Sequence, residues 1–222
     1  MAVSAQERLY LLSQVNQLAQ TQLNQLWTQA DRLSNTDFAA FVVEAFPKLA
    51  DPYTTMAGQL AASWFELSDP ASDYIASVAP LPAVEKLTTS AEWALGATGD
   101  AGLDRLSGTL QKAVFDGARD TTMINVEQTK SRWAVHARAT ACPWCRMMAT
   151  RGAVYKSGAS ALAACHDHGH CVAMEIRGDE AYNPPDYVSQ WDDEYLKARA
   201  NAGSGDPKAI QAAWRQILTA EA

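Results

Sequence analysis

The sequence predicts a mainly α protein: an N-terminal helical bundle, then a small α+β module, then C-terminal helices. Three observations predict it. Apolar residues recur at three- and four-residue steps through residues 1–125, the period of a helix with one buried face. After Asn125 the texture changes to short strand-like runs set around a cluster of cysteines and histidines. Beyond Pro184-Pro185 the helical period returns with Trp and Tyr on it. The organisation expected is a bundle over 1–125, the module over 126–180 and a helical tail over 181–222.

The first 33 residues form one amphipathic helix, with Leu12, Val15, Ala19, Leu23, Leu26, Ala30 and Leu33 on its stripe. Ser34 to Asp37 supplies the short polar side chains that cap a helix start, ahead of Phe38, Phe41, Val42 and Ala45. Pro47 is expected to end that helix, and Asp51-Pro52 to open the next, through Tyr53, Met56, Leu60 and Trp64. Pro80 and Pro82 break the chain again. Val84, Leu87, Ala91 and Trp93 then predict a short helix, and Leu103, Leu106, Leu110 and Val114 a longer one.

Arg132–Ala137, Ala153–Tyr155 and Cys171–Ile176 read as strands. A short helix over Pro143–Thr150 lies between the first two, and Gly152 suits a left-handed C-cap. In the tail, Tyr187, Trp191 and Tyr195 lie one turn apart. Asp206-Pro207 reads as N-cap and first residue of a last helix, which carries Ile210, Trp214, Ile217 and Leu218 on one face. These tail aromatics are expected to pack on the body.

Composition narrows the function. Hydrophobic residues make up 48% and charged ones 19%, values of a chain that folds around a core. The net charge is −7 and the 18 basic residues are scattered, so no clustered Lys/Arg face announces a nucleic-acid surface. Direct nucleic-acid binding is therefore not expected. Neither a basic and apolar leader nor a run of about 20 apolar residues is visible, which predicts a protein made in a cytoplasm with no membrane partner. Thiols there stay reduced, and clustered cysteines then favour metal over disulfides.

All four cysteines and three of the four histidines fall inside 142–171. Cys142-Pro143-Trp144-Cys145 places two thiolates within reach of one tetrahedral ion. Cys165-His166-Asp167-His168-Gly169-His170-Cys171 supplies the rest, with His168 and Cys171 repeating the two-residue gap. The expected ligands are Cys142, Cys145, His166, His168 and Cys171, binding structural zinc; which of Cys165, His166, His168 and His170 completes the shell stays open. A module of about 50 residues buries little, so a metal would staple it. Rival chemistries lack their motifs. No βαβ pattern surrounds the C-x-x-C as in a thioredoxin-like protein, His136-Ala137-Arg138 lacks a deaminase's glutamate, and H-E-x-x-H is absent.

Cys142-Pro143-Trp144-Cys145, Ala149-Thr150-Arg151-Gly152-Ala153-Val154-Tyr155 and His166-Asp167-His168, closed by Cys171, resemble minor head proteins of tailed phages of actinobacteria. These are similar to the phage Mu F-like head-morphogenesis family, and members are often labelled capsid maturation proteases. The resemblance covers most of residues 1–176 and includes the Trp133 strand before the C-x-x-C. The family's pattern ends His-Asp-His-Cys-x-Cys; here Gly169 stands at its first cysteine and Cys165 is gained upstream. The resemblance implies a low-copy protein of the capsid interior in the virion, bound near the portal, with portal and major capsid proteins as partners. Two functions follow from it: a structural assembly protein, the reading preferred here, and alternatively a capsid maturation protease. Ser157 and Ser160 are the hydroxyls near the histidines, but no elbow or oxyanion-hole motif surrounds them. Trp27 and Phe65 are expected to be left over from the packing faces and free to meet a partner.

Overall fold

The computed structural model describes residues 2–97, 99–157, 169–178 and 180–220. Helix α1 spans Ala5–Ala30 and opens on a capping box. Ser4 Oγ accepts from the Glu7 N–H at 3.2 Å, and the Glu7 carboxylate accepts from the Ser4 N–H at 2.9 Å. Leu12, Val15, Ala19, Leu23 and Ala30 are buried on its predicted stripe. Leu33 falls past the helix end and is exposed.

Helix α2 runs unbroken over Asn35–Leu67, with Pro47 and Pro52 inside it. The expected break at Pro47 and restart at Asp51-Pro52 do not occur. A proline's fixed φ is compatible with a helix; its cost is a lost hydrogen bond and a clash, about 3 kcal/mol each. Val42, Phe46, Ala50, Ala57, Ala61, Trp64 and Phe65 are buried along the same helix. At about 1.5–3 kcal/mol for each large apolar side chain, that burial outweighs two prolines. The cap is as predicted, with Ser34 Oγ accepting from the Asp37 N–H at 3.3 Å.

After α2 the chain crosses back as an extended strap. Asn125 clasps it from both sides, its Oδ1 accepting from the Ser77 N–H and its Nδ2 donating to the Ser77 carbonyl, both at 2.8 Å. Helix α3 (Val84–Leu95) leads to α4 (Asp100–Thr129), the central element, which packs on α1, α2 and α3. Helices α2 and α4 approach closely: a Cβ built on Gly117 would lie 2.7 Å from the Thr54 carbonyl oxygen.

β1 (Arg132–His136) and β2 (Val172–Ile176) pair antiparallel, from Arg132 opposite Ile176 to His136 opposite Val172. Residues 153–155 do not form the third strand expected. Tyr155 alone bridges to Trp133, and Gly152 next to this segment takes φ +65°. The sheet is not detached from the bundle. Val172 belongs to the helical core, and Arg8 of α1 pairs with Glu175 of β2 through two 2.6 Å hydrogen bonds.

Helices α5 (Pro143–Ala149), α6 (Tyr187–Ala202) and α7 (Pro207–Ala220) close a second core around Trp133, Met147, Trp191 and Trp214. The tail aromatics pack inward as predicted. Asp206 caps α7, its carboxylate accepting from the Ala209 N–H at 3.0 Å. Glu194 joins the pieces, accepting from Arg146 at 2.7 Å and from the Trp214 indole at 2.8 Å. Phe65 is not a surface aromatic. It is fully buried in this second core, with the Arg177 guanidinium 4.0 Å above its ring, because the strap and β2 cover that end of α2. Trp27 is half-buried, edge-on to Phe38 at 4.9 Å. Among the described residues no helix is long and apolar enough to cross a membrane.

Candidate metal centre

Strand pairing builds the site. His136 faces Val172 at the end of the ladder, so the chain leaving β1 and the chain entering β2 lie side by side. Cys171 immediately precedes β2, and residues 137–141 carry the other chain directly to Cys142 at the N-cap of α5. Pro143 at the first turn of α5 suits a helix start, and Cys145 follows one turn on, buried. Two segments far apart in sequence thus meet at one corner because their strands must be in register.

Arginines fix that corner. Arg146 holds the approach loop, donating through Nε to the Ala141 carbonyl at 2.9 Å while its guanidinium lies 5.2 Å from the Trp191 ring centre. Arg119 of α4 donates to the Cys171 carbonyl at 2.9 Å, with the Cys171 Sγ at 3.7 Å, and is itself paired to Asp116 at 2.5 Å. Arg119 carries no local signature of this role, since it sits 52 residues from Cys171.

Cys142, Cys145 and Cys171 line one cavity of about 140 Å³ together with His170. Cys145 is the hub. Its thiol is in hydrogen-bonding contact with those of Cys142 and Cys171, and these contacts, followed by burial, push its pKa far above the ordinary thiol range. The physical content is that three sulfurs share a space in which several negative charges cannot coexist unless a cation joins them. His170 is held against Phe115, ring centres 5.5 Å apart, and its Nδ1 lies 3.2 Å from the Gln111 side-chain nitrogen. Gln111 also donates to the Gly169 carbonyl at 3.3 Å, fixing the turn just before Cys171.

Of the five predicted ligands, the structure gathers Cys142, Cys145 and Cys171. His166 and His168 lie outside the described residues, as do Cys165 and Asp167. Among the described residues no group of three or more His, Cys, Asp or Glu side chains is arranged to hold a metal ion by itself. The donor set is nevertheless suited to zinc: three soft sulfurs in contact, with an imidazole on the same cavity wall. Ser160 also lies outside the described residues, whereas Ser157 follows the Tyr155 bridge. His136 is buried at the end of β1, and burial holds its pKa below the usual imidazole range.

No curated protein and no solved structure matches the chain. A family model described as VG15 protein matches residues 3–198, which takes in the bundle, the sheet, the thiol corner and α6. The chain belongs to the VG15 protein family and is a phage protein.

Proposed function

We propose that this protein is a structural minor capsid protein of head morphogenesis, associated with the portal inside the procapsid and stapled by zinc. Its partners are the portal and major capsid proteins. The observation that carries the zinc reading is the contact of three thiols at Cys145, drawn from two segments that the sheet brings together. Cys142, Cys145 and Cys171 would hold the ion, with His166 or His168 as the expected further ligands. When bound, zinc supplies no chemistry beyond neutralising the thiolates and tying the α5 corner to β2. The structural role fits the surroundings of the site, where Cys145 and Cys171 belong to the second core and the Cys171 sulfur lies against Arg119.

The reading is tested on the recombinant chain and on purified virions. Elemental analysis of reduced, chelator-free protein should give about one zinc per chain, and Cys145→Ser should abolish it. The protein should co-purify with portal and major capsid proteins, and mass spectrometry should find it inside DNA-filled heads. Ser157→Ala should leave capsid-protein cleavage and head assembly unchanged. Loss of cleavage with zinc and fold intact would replace the structural reading by the capsid maturation protease. Metal-free protein that is fully folded would reject the zinc.

A further inference from the structure

Four cations from three separate segments converge on a cavity of about 400 Å³ where α4 ends and the sheet begins. Lys130 and Arg132 flank the α4–β1 turn, Lys156 follows the Tyr155 bridge, and Arg177 follows β2. Among the described lining residues Asp69 is the one carboxylate, so four positive charges face one negative there in a chain of net charge −7. A cavity of this size is in the range of small-molecule sites, about 300–1,000 Å³.

The two arginines are partly engaged. Arg132 donates to the Gly178 and Glu180 carbonyls at 3.2 and 3.3 Å. Arg177 donates to the Phe65 carbonyl at 2.8 Å and stands 3.7 Å from Asp69, yet its Nε is buried with no hydrogen-bond partner. Lys130 and Lys156 are exposed and make no ion pair among the described residues. The partial negative charge of the α4 C-terminus accounts for one nearby cation, not for four from three separate segments.

Lys130 carries a second oddity. It is the one non-glycine residue, among those described, with a positive φ, at 53°. Glycine or asparagine ordinarily fills such a helix-ending position, because a Cβ there costs on the order of 1–2 kcal/mol. Backbone strain kept at a residue whose charge faces a cavity points to a use for that charge.

We propose that this cavity binds a phosphate group, either as free inorganic phosphate or carried on a small organic molecule. Guanidinium forks and lysine point charges are the complement of a tetrahedral oxyanion, and the lining offers both, with the Thr129 and Ser131 hydroxyls beside them. The site is independent of the zinc corner and of the portal reading.

The test is calorimetric titration of the full chain with inorganic phosphate and, separately, adenosine monophosphate, at about 50 mM ionic strength so that screening does not mask binding. Saturable one-site binding is expected, competed by sulfate and not by chloride at equal ionic strength. Lys130→Gly and Lys156→Ala should each weaken it by about tenfold, the scale of one charge-assisted contact, with helix content and melting temperature near those of the parent. Should Lys130→Gly misfold, Lys156→Ala with rescue by Lys156→Arg carries the test. Tighter binding of the nucleotide assigns an organic phosphate as source, and equal binding assigns the free anion; both support the site. No saturation up to about 10 mM, or parental affinity in the folded double variant, overturns it. So does binding of a hydroxyl-ended oligonucleotide with neither phosphate nor the nucleotide bound.

Discussion

Arg8→Ala is the substitution with the largest consequence, because it breaks a buried ion pair that ties the first helix to the last strand. Arg8 and Glu175 are 2% and 1% exposed and share two hydrogen bonds of 2.6 Å. Arg8 also donates through Nε to the Val3 carbonyl at 3.1 Å and lies 5.5 Å from the Trp64 ring centre. Removing it strands the Glu175 carboxylate in a space closed to solvent. Breaking such a pair from one side costs about 3–5 kcal/mol. For a chain of 222 residues, each kcal/mol lowers the melting temperature by about 2–4 °C, so the drop should be roughly 6–20 °C. Urea unfolding followed by circular dichroism measures the first quantity and calorimetry the second. The double variant Arg8→Met with Glu175→Leu removes both charges and refills the space, so it should recover most of the loss, since a buried pair offers little over apolar packing. A single-variant loss below about 1 kcal/mol, or a double variant as unstable as the single, would refute the idea that an isolated buried charge is what hurts.

Three further outcomes are expected. Gly117→Ala gains helix propensity but drives a Cβ into the Thr54 backbone 2.7 Å away, so it should destabilise by about 1–3 kcal/mol in urea, whereas Gly205→Ala, with open space around it, should change little. Burial holds the His136 pKa below its ordinary value, so the unfolded chain takes up a proton first as pH falls. Stability attached to His136 is therefore full above the unfolded pKa near 6.5 and lost as pH drops from there toward the folded pKa; His136→Gln should flatten that part of the stability–pH curve. A chelator should lower the melting temperature of zinc-loaded protein and leave Cys145→Ser unaffected, because only the former has metal-binding energy to lose.

The fold was legible where one physical signal acted alone. The α1 stripe, the Ser34 cap, the start of α7 at Asp206-Pro207 and the short helix after Cys142 follow from local periodicity and cap chemistry, which no distant contact disturbs. Local preference misleads where tertiary packing competes with it. Pro47 and Pro52 are helix breakers by propensity, yet one face of α2 buries enough apolar surface to carry the helix through both. Phe65 carries no mark in the sequence that separates it from a surface aromatic; its burial is decided by Tyr74 and Arg177, which arrive from elsewhere in the chain.

The same division explains what could be read of the two candidate sites. Cys142 and Cys145 declare themselves because their ligand spacing is local, and Cys171 because it lies in a short cluster of the same residue types. Their meeting point is not local: it depends on His136 pairing with Val172, a register fixed by the sheet. The basic cavity has no local signature at all. Lys130 and Arg132 stand two residues apart among polar neighbours, and only the bridge at Tyr155 and the ladder from Arg132 to Ile176 bring Lys156 and Arg177 to them. A scattered count of 18 basic residues therefore argues against a charged face that a linear run would form, and says nothing against a pocket of four assembled by strand pairing. Charge in a sequence is read by its neighbours along the chain, whereas a ligand reads it across the fold, and here the two readings differ because β1 and β2 are separated by 35 intervening residues, 137–171.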